Sequence, residues 1–116
     1  METKEQEKGS SFIIEQLIGY VPNSVVIKTV LKKATGNVTL LSFSSGEVRS
    51  EKVSPFDTLI QVIDGKADIV INDQSYQLST GQSIIIPAHS RNSIKANIRF
   101  KMISTVIKSG YEKVGI

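Results

Sequence analysis

Short runs of β-branched and other apolar residues recur about every dozen positions, over 25–30, 38–43, 59–63, 67–71, 83–86 and 100–107, with turn-forming residues between them. No amphipathic stretch long enough for a helical crossover separates any two runs, which argues against parallel βαβ units and leaves an antiparallel sandwich or small barrel. The turn chemistry agrees. Asp64-Gly65 predicts a two-residue hairpin and Asn72-Asp73 a second, because these residues tolerate positive φ. Gly36-Asn37, Ser45-Gly46 and Thr80-Gly81 mark further reversals. Residues 12–18 read as a short helix or an edge strand, ended in either case by Gly19 and Pro22.

The first eleven residues are polar and finish in Gly9-Ser10-Ser11, so 1–11 is expected to be a flexible arm and 12–116 a single barrel domain. In 58–63 both alternating phases are mostly apolar, as when one face lines an interior and the other packs on a second sheet or subunit; this predicts a homodimer. The inward set of the last strand is left open by the same ambiguity.

Composition narrows the function classes. With 40% hydrophobic and 22% charged residues the chain has an ordinary globular make-up. Its charge of +3 is spread along the sequence, aromatics are 6% and Trp is absent, so a nucleic-acid partner is not expected. Without Cys, disulfides, thiolate metal sites and cysteine nucleophiles are excluded. The polar start has no apolar signal core and no run is long enough to span a bilayer, so the expectation is a cytoplasmic protein without a membrane partner. Ser44-Ser45-Gly46 is no nucleophile elbow and no phosphate-binding glycine loop occurs.

Two segments carry a more specific signal. The first runs from Gly46 through Lys52, Ser54 and Thr58 to Gly65; the second runs from Gly81 through Pro87, His89 and Asn92 to Ala96. In spacing they resemble the two motifs of a small single-domain, RmlC-like cupin: Gly, five residues, His, any residue, His, three or four residues, Glu, six residues, Gly; then Gly, five residues, Pro, any residue, Gly, two residues, His, three residues, Asn. The resemblance covers nearly the whole chain and implies an all-β fold, a small antiparallel β-barrel of the double-stranded β-helix or jelly-roll type. In metal-binding cupins the two histidines and the glutamate of the first motif and the histidine of the second surround one divalent cation. Here those positions hold Lys52, Ser54, Thr58 and Asn92. An ammonium repels a cation, and hydroxyls and an amide are poor ligands for transition metals, so neither metal nor cofactor is expected. Asp57 would take the place of Thr58 only if the strand slipped by one residue, reversing every facing in it.

The resemblance places Lys52 in the barrel mouth, where a charge loses hydration unless it is paired. One reading is an anion hook for a carboxylate or phosphate, helped by Ser54, Thr58 and Asn92 as ligand-binding groups. The plainer reading has Lys52 reaching solvent or pairing with Glu51 or Asp57. Arg49 and Arg91 flank the motifs and would extend a positive rim, with solvated surface charge as the ordinary alternative. His89 is the one residue whose unperturbed pKa suits general-base work, but no orienting carboxylate is recognisable beside it, which favours an exposed or structural role. The leading functional expectation is a metal-free barrel binding a small, anionic organic ligand. The alternatives are a metal-independent isomerase acting on a sugar or keto acid, and an inert packed interaction module.

Overall fold

The computed structural model describes residues 5–111. A single 3₁₀ turn, Ile14–Leu17, precedes eight strands: β1 (Val25–Lys33), β2 (Gly36–Phe43), β3 (Val48–Val53), β4 (Thr58–Ile71), β5 (Gln74–Ser79), β6 (Ser83–Ile86), β7 (Arg91–Lys95) and β8 (Phe100–Ile107). All pairings are antiparallel. One sheet runs β1-β2-β8-β4-β6 and the other β3-β7-β4-β5, so the long β4 belongs to both and folds the sheet into a barrel.

That sharing corrects one expectation. Asp64-Gly65 is no hairpin: β4 runs straight through it, bulged against β8 between Val62 and Asp64. Gly65 has φ +84, and a Cβ there would come within 2.2 Å of the Arg99 carbonyl oxygen. The glycine serves close approach and bending at the corner where one strand crosses between sheets. Pairing continues on both sides, Gly65 with Phe100 and Lys66 with Ser79, so the chain has no reason to reverse. Asn72-Asp73 does form the expected two-residue hairpin, both residues at positive φ (47 and 69). The reversal expected at Gly36-Asn37 lies two residues earlier, at Ala34-Thr35. Gly36 already pairs in β2, where a Cβ would meet the Val106 carbonyl oxygen at 2.5 Å.

Side chains from both sheets fill the interior: Phe43, Ile60, Val62, Ala67, Ile69, Ile94, Ala96, Phe100 and Met102 are all nearly inaccessible. At one end Phe43 and Phe100, register partners across β2 and β8, stack with centroids 4.5 Å apart and close the barrel. The outer face of the larger sheet carries a second apolar cluster, Val30, Leu40, Ile63 and Ile103, covered by Ile14, Leu17 and Ile18. The chain's own N-terminal segment therefore covers part of the second apolar face seen in 58–63. Three polar ties hold it there. Ser42 Oγ donates to Gly19 O (2.8 Å), Lys101 Nζ donates to the Glu15 carboxylate (3.0 Å) and main-chain O (2.9 Å), and Tyr20 OH donates to Asp64 (2.6 Å). Burial and the Asp64 carboxylate raise the Tyr20 pKa above its ordinary value. Further upstream, Glu5 accepts from the Lys32 N–H and Gln6 N–H donates to Val30 O, along the edge of β1.

Candidate functional site

At the end away from the Phe43–Phe100 stack, strand alternation and one bulge bring polar side chains into the barrel. On β4, Thr58, Ile60 and Val62 share the inward face; opposite them on β8 stand Val106, Ser104 and Met102. On the other sheet Lys52 pairs with Asn92 and Arg49 with Ile94, which leaves one extra residue on β3 between the two pairs. Without that bulge Arg49 and Lys52, three residues apart, would face opposite ways. With it both line the same cavity.

The cavity measures about 90 Å³. Arg49, Lys52, Ser54, Thr58, Asn92 and Ser104 form its polar part, and Leu41, Ile60, Ile86, Ile94, Met102 and Val106 its apolar part. Burial orders these groups by depth. Lys52 is exposed, Ser54, Thr58, Ser104 and Val106 are half-buried, and Ile60, Ile94 and Met102 are 1–2% exposed.

Asn92 is buried and fully engaged. Its Nδ2 donates to Lys52 O (3.3 Å) and Ser90 O (3.4 Å), while its Oδ1 accepts from Arg49 Nη2. Arg49 Nη1 also donates to Ser50 O (3.1 Å) and Asn92 O (3.3 Å). Burial lowers the Arg49 pKa, and Lys52 is held below the ordinary lysine range by lost hydration and then by the Arg49 charge. Among the described residues no carboxylate pairs with Lys52, and no acidic side chain lines the cavity. The Ser54 Oγ accepts from the Phe56 N–H (3.2 Å). Thr58 and Ser104 make no side-chain hydrogen bond among the described residues, and their oxygens stay accessible from the cavity.

The motif positions Lys52, Ser54, Thr58 and Asn92 thus converge, joined by Arg49 in the wall itself rather than on a rim. His89 and Arg91 lie elsewhere. His89 is exposed in the turn before β7 with φ 67, at the place where the motif has Gly, and its N–H donates to Ser54 O (2.7 Å). Arg91 faces outward and pairs with Asp73 (2.8 Å). Asp57 stays outside, its carboxylate accepting from the Ala88 N–H (2.8 Å), so β4 keeps the register that turns Thr58 inward. Ser104 and the apolar floor were not singled out in the sequence; only the register of β8 against β2 and β4 reveals them.

No protein-family model matches the chain, and no curated protein matches it by sequence. Solved structures do. A conserved protein of unknown function from Streptococcus pyogenes superposes with TM-score 0.86 at 22% identity, over 94% of this chain and 96% of that one. A cupin superfamily protein from Desulfitobacterium hafniense superposes with TM-score 0.85 at 27% identity, over 94% and 100%. An RmlC-like cupin from Shewanella frigidimarina gives 0.74 at 14% identity, over 93% and 97%. Two antiparallel sheets sharing a bent central strand around an interior cavity define a cupin barrel. The chain is a small cupin domain.

Proposed function

We propose that this barrel binds a small anionic organic ligand in its interior without a metal. The observation that carries the reading is a cavity wall holding two cations, Arg49 and Lys52, with no acidic side chain among the described lining residues. Arg49 is engaged by Asn92 and Ser50, whereas Lys52 has no carboxylate partner among the described residues, so a bound anion would supply the missing counter-charge. Ser54, Thr58 and Ser104 offer hydroxyl donors beside it.

The residues do not fit the divalent cation that the cupin motif otherwise holds. Lys52, Ser54, Thr58 and Asn92 supply an ammonium, two hydroxyls and an amide whose oxygen already accepts from Arg49. No cluster of three or more His, Cys, Asp or Glu suited to a metal occurs among the described residues. His89 and Arg91 take no part in this reading.

We also propose that the chain pairs with a second copy. An outward row of register partners, Ile85, Leu59, Thr105, Val38 and Leu31, crosses five strands; Val38 packs on the cluster under the N-terminal segment and Leu31 lies beside residues 6–12, while Ile85 stays 62% and Leu31 40% exposed. No helix among the described residues is long and apolar enough to cross a membrane.

Calorimetry with small carboxylates and inorganic phosphate tests the ligand reading on the wild type and Lys52→Gln. Saturable binding that weakens at least about tenfold in the variant is expected. Absence of binding by every anion, or a stoichiometric transition metal in the cavity, overturns it.

A further inference from the structure

The cavity holds more information than its charge, and the inference drawn from it rests on the anion reading above. We infer that the ligand is a 2-hydroxy or 2-oxo monocarboxylic acid of about three to five carbons. Its carboxylate would lie at Lys52, its 2-oxygen at Thr58 and Ser104, and its short aliphatic tail on Ile60, Ile94 and Met102.

Three features of the cavity select that class. The first is size. A cavity of about 150 Å³ holds a benzene ring, so about 90 Å³ accepts roughly four non-hydrogen atoms, leaving the charged head at the mouth. Sugars and dinucleotides are too large to enter.

The second is the gradient of polarity with depth. Lys52 is exposed, Arg49 and the hydroxyls are half-buried, and the nearly inaccessible floor is apolar at Ile60, Ile94 and Met102, with the equally buried Asn92 amide already taken up by its own hydrogen bonds. Inorganic phosphate would satisfy the cations but leave a dianion against that hydrocarbon floor, at a desolvation cost that a short alkyl tail avoids. A dicarboxylate would place its second charge on the same floor.

The third is the pair of idle hydroxyls. Thr58 faces Val106 across β4 and β8, and Ser104 faces Ile60, so the two are diagonal neighbours with backbones about 7 Å apart on the same wall. Neither hydroxyl has a partner among the described residues, and both oxygens are open to the cavity. An oxygen on the carbon next to the carboxylate would sit one bond below the head group, at the depth of these hydroxyls. Either hydroxyl can donate to a keto oxygen or accept from an alcohol.

The experiment is calorimetric titration of the full chain with 2-oxobutyrate, 2-hydroxybutyrate, butyrate, succinate and inorganic phosphate, repeated on Thr58→Val/Ser104→Ala. The 2-substituted acids are expected to bind about tenfold tighter than butyrate, and phosphate and succinate more weakly than either. The double variant should erase the advantage over butyrate, with its circular dichroism spectrum and thermal midpoint showing that it folds. Equal affinity for butyrate and its 2-oxygenated forms overturns the inference. Preference for phosphate or succinate, still dependent on Lys52, overturns it and leaves the anion reading standing. If no anion binds, both fall.

Discussion

Arg49 on β3 holds Asn92 on β7 through two acceptors at once, the side-chain Oδ1 and the main-chain oxygen, while the amide nitrogen of Asn92 reaches back to the carbonyl of Lys52. One buried amide thus fixes the guanidinium in the cavity wall and ties β7 to β3, the strand that carries both cationic groups.

Replacing that amide separates stability from binding. Asn92→Ala leaves Arg49 without its side-chain acceptor and should lower stability by about 1.5–3 kcal/mol, measured by chemical denaturation. Asn92→Asp keeps an acceptor and adds a carboxylate facing two cations. The expected result is retained stability and at least about tenfold weaker anion binding, because the counter-charge is then built in.

Lys52 makes the pH dependence predictable in sign. Its pKa is depressed by lost hydration and by Arg49, so the folded chain releases this proton at lower pH than the unfolded chain does. Between those two values the unfolded chain binds more protons, and the Lys52 contribution to stability rises with pH; below them its destabilising effect is complete. Anion binding runs the opposite way and is lost as pH climbs through the Lys52 pKa. Lys52→Met should therefore raise the unfolding midpoint at neutral pH while abolishing anion binding, as thermal denaturation and calorimetry would report.

The N-terminal cover depends on Lys101, whose side chain is 8% exposed and lies 3.0 Å from Glu15. Glu15→Ala leaves the ammonium with the Glu15 main-chain oxygen and the Tyr20 ring, 5.1 Å away at its centroid, and should cost about 1–2 kcal/mol. Lys101→Met removes the charge together with its need for a partner and should cost less than Glu15→Ala. Equal or reversed losses in urea denaturation would contradict this account of the strap.

Two backbone positions should respond in opposite directions. Gly65→Ala forces a Cβ against the Arg99 carbonyl at positive φ and should destabilise by about 2 kcal/mol or more. His89→Gly relieves a left-handed residue at φ 67 and should be neutral or stabilising by up to about 1 kcal/mol, with ligand affinity unchanged because the imidazole lies outside the cavity. Thermal melts of both variants decide the matter.

The legible parts of the fold were the strands whose side chains meet apolar neighbours. The cores of β2, β4, β6 and β8 are visible as apolar runs because at least one face of each is buried or half-buried, and β1 is visible through its β-branched residues although most of it is exposed. β3 (VRSEKV), β5 (QSYQLS) and β7 (RNSIK) gave no such signal. β3 and β5 are mostly exposed, and the inward positions of β3 and β7 at the mouth are polar because they line the cavity. The site therefore lies largely where periodicity is silent, and Lys52 and Asn92 were reached through the spacing of glycines and proline instead. Ser104 escaped because both phases of β8 are mixed, so only its register with β2 and β4 decides which face turns inward. Asp64-Gly65 misled because a glycine demanded by close approach looks the same in sequence as one demanded by a turn.

On the proposed reading, Lys52 awaits an anion. Proton–carbon NMR of the lysine ε-methylene groups, followed during titration with 2-oxobutyrate, reads that residue directly. A saturable shift of the Lys52 signal and a rise in its titration midpoint are expected as the carboxylate restores the charged form. A Lys52 signal and midpoint that stay fixed while other lysines respond would contradict it.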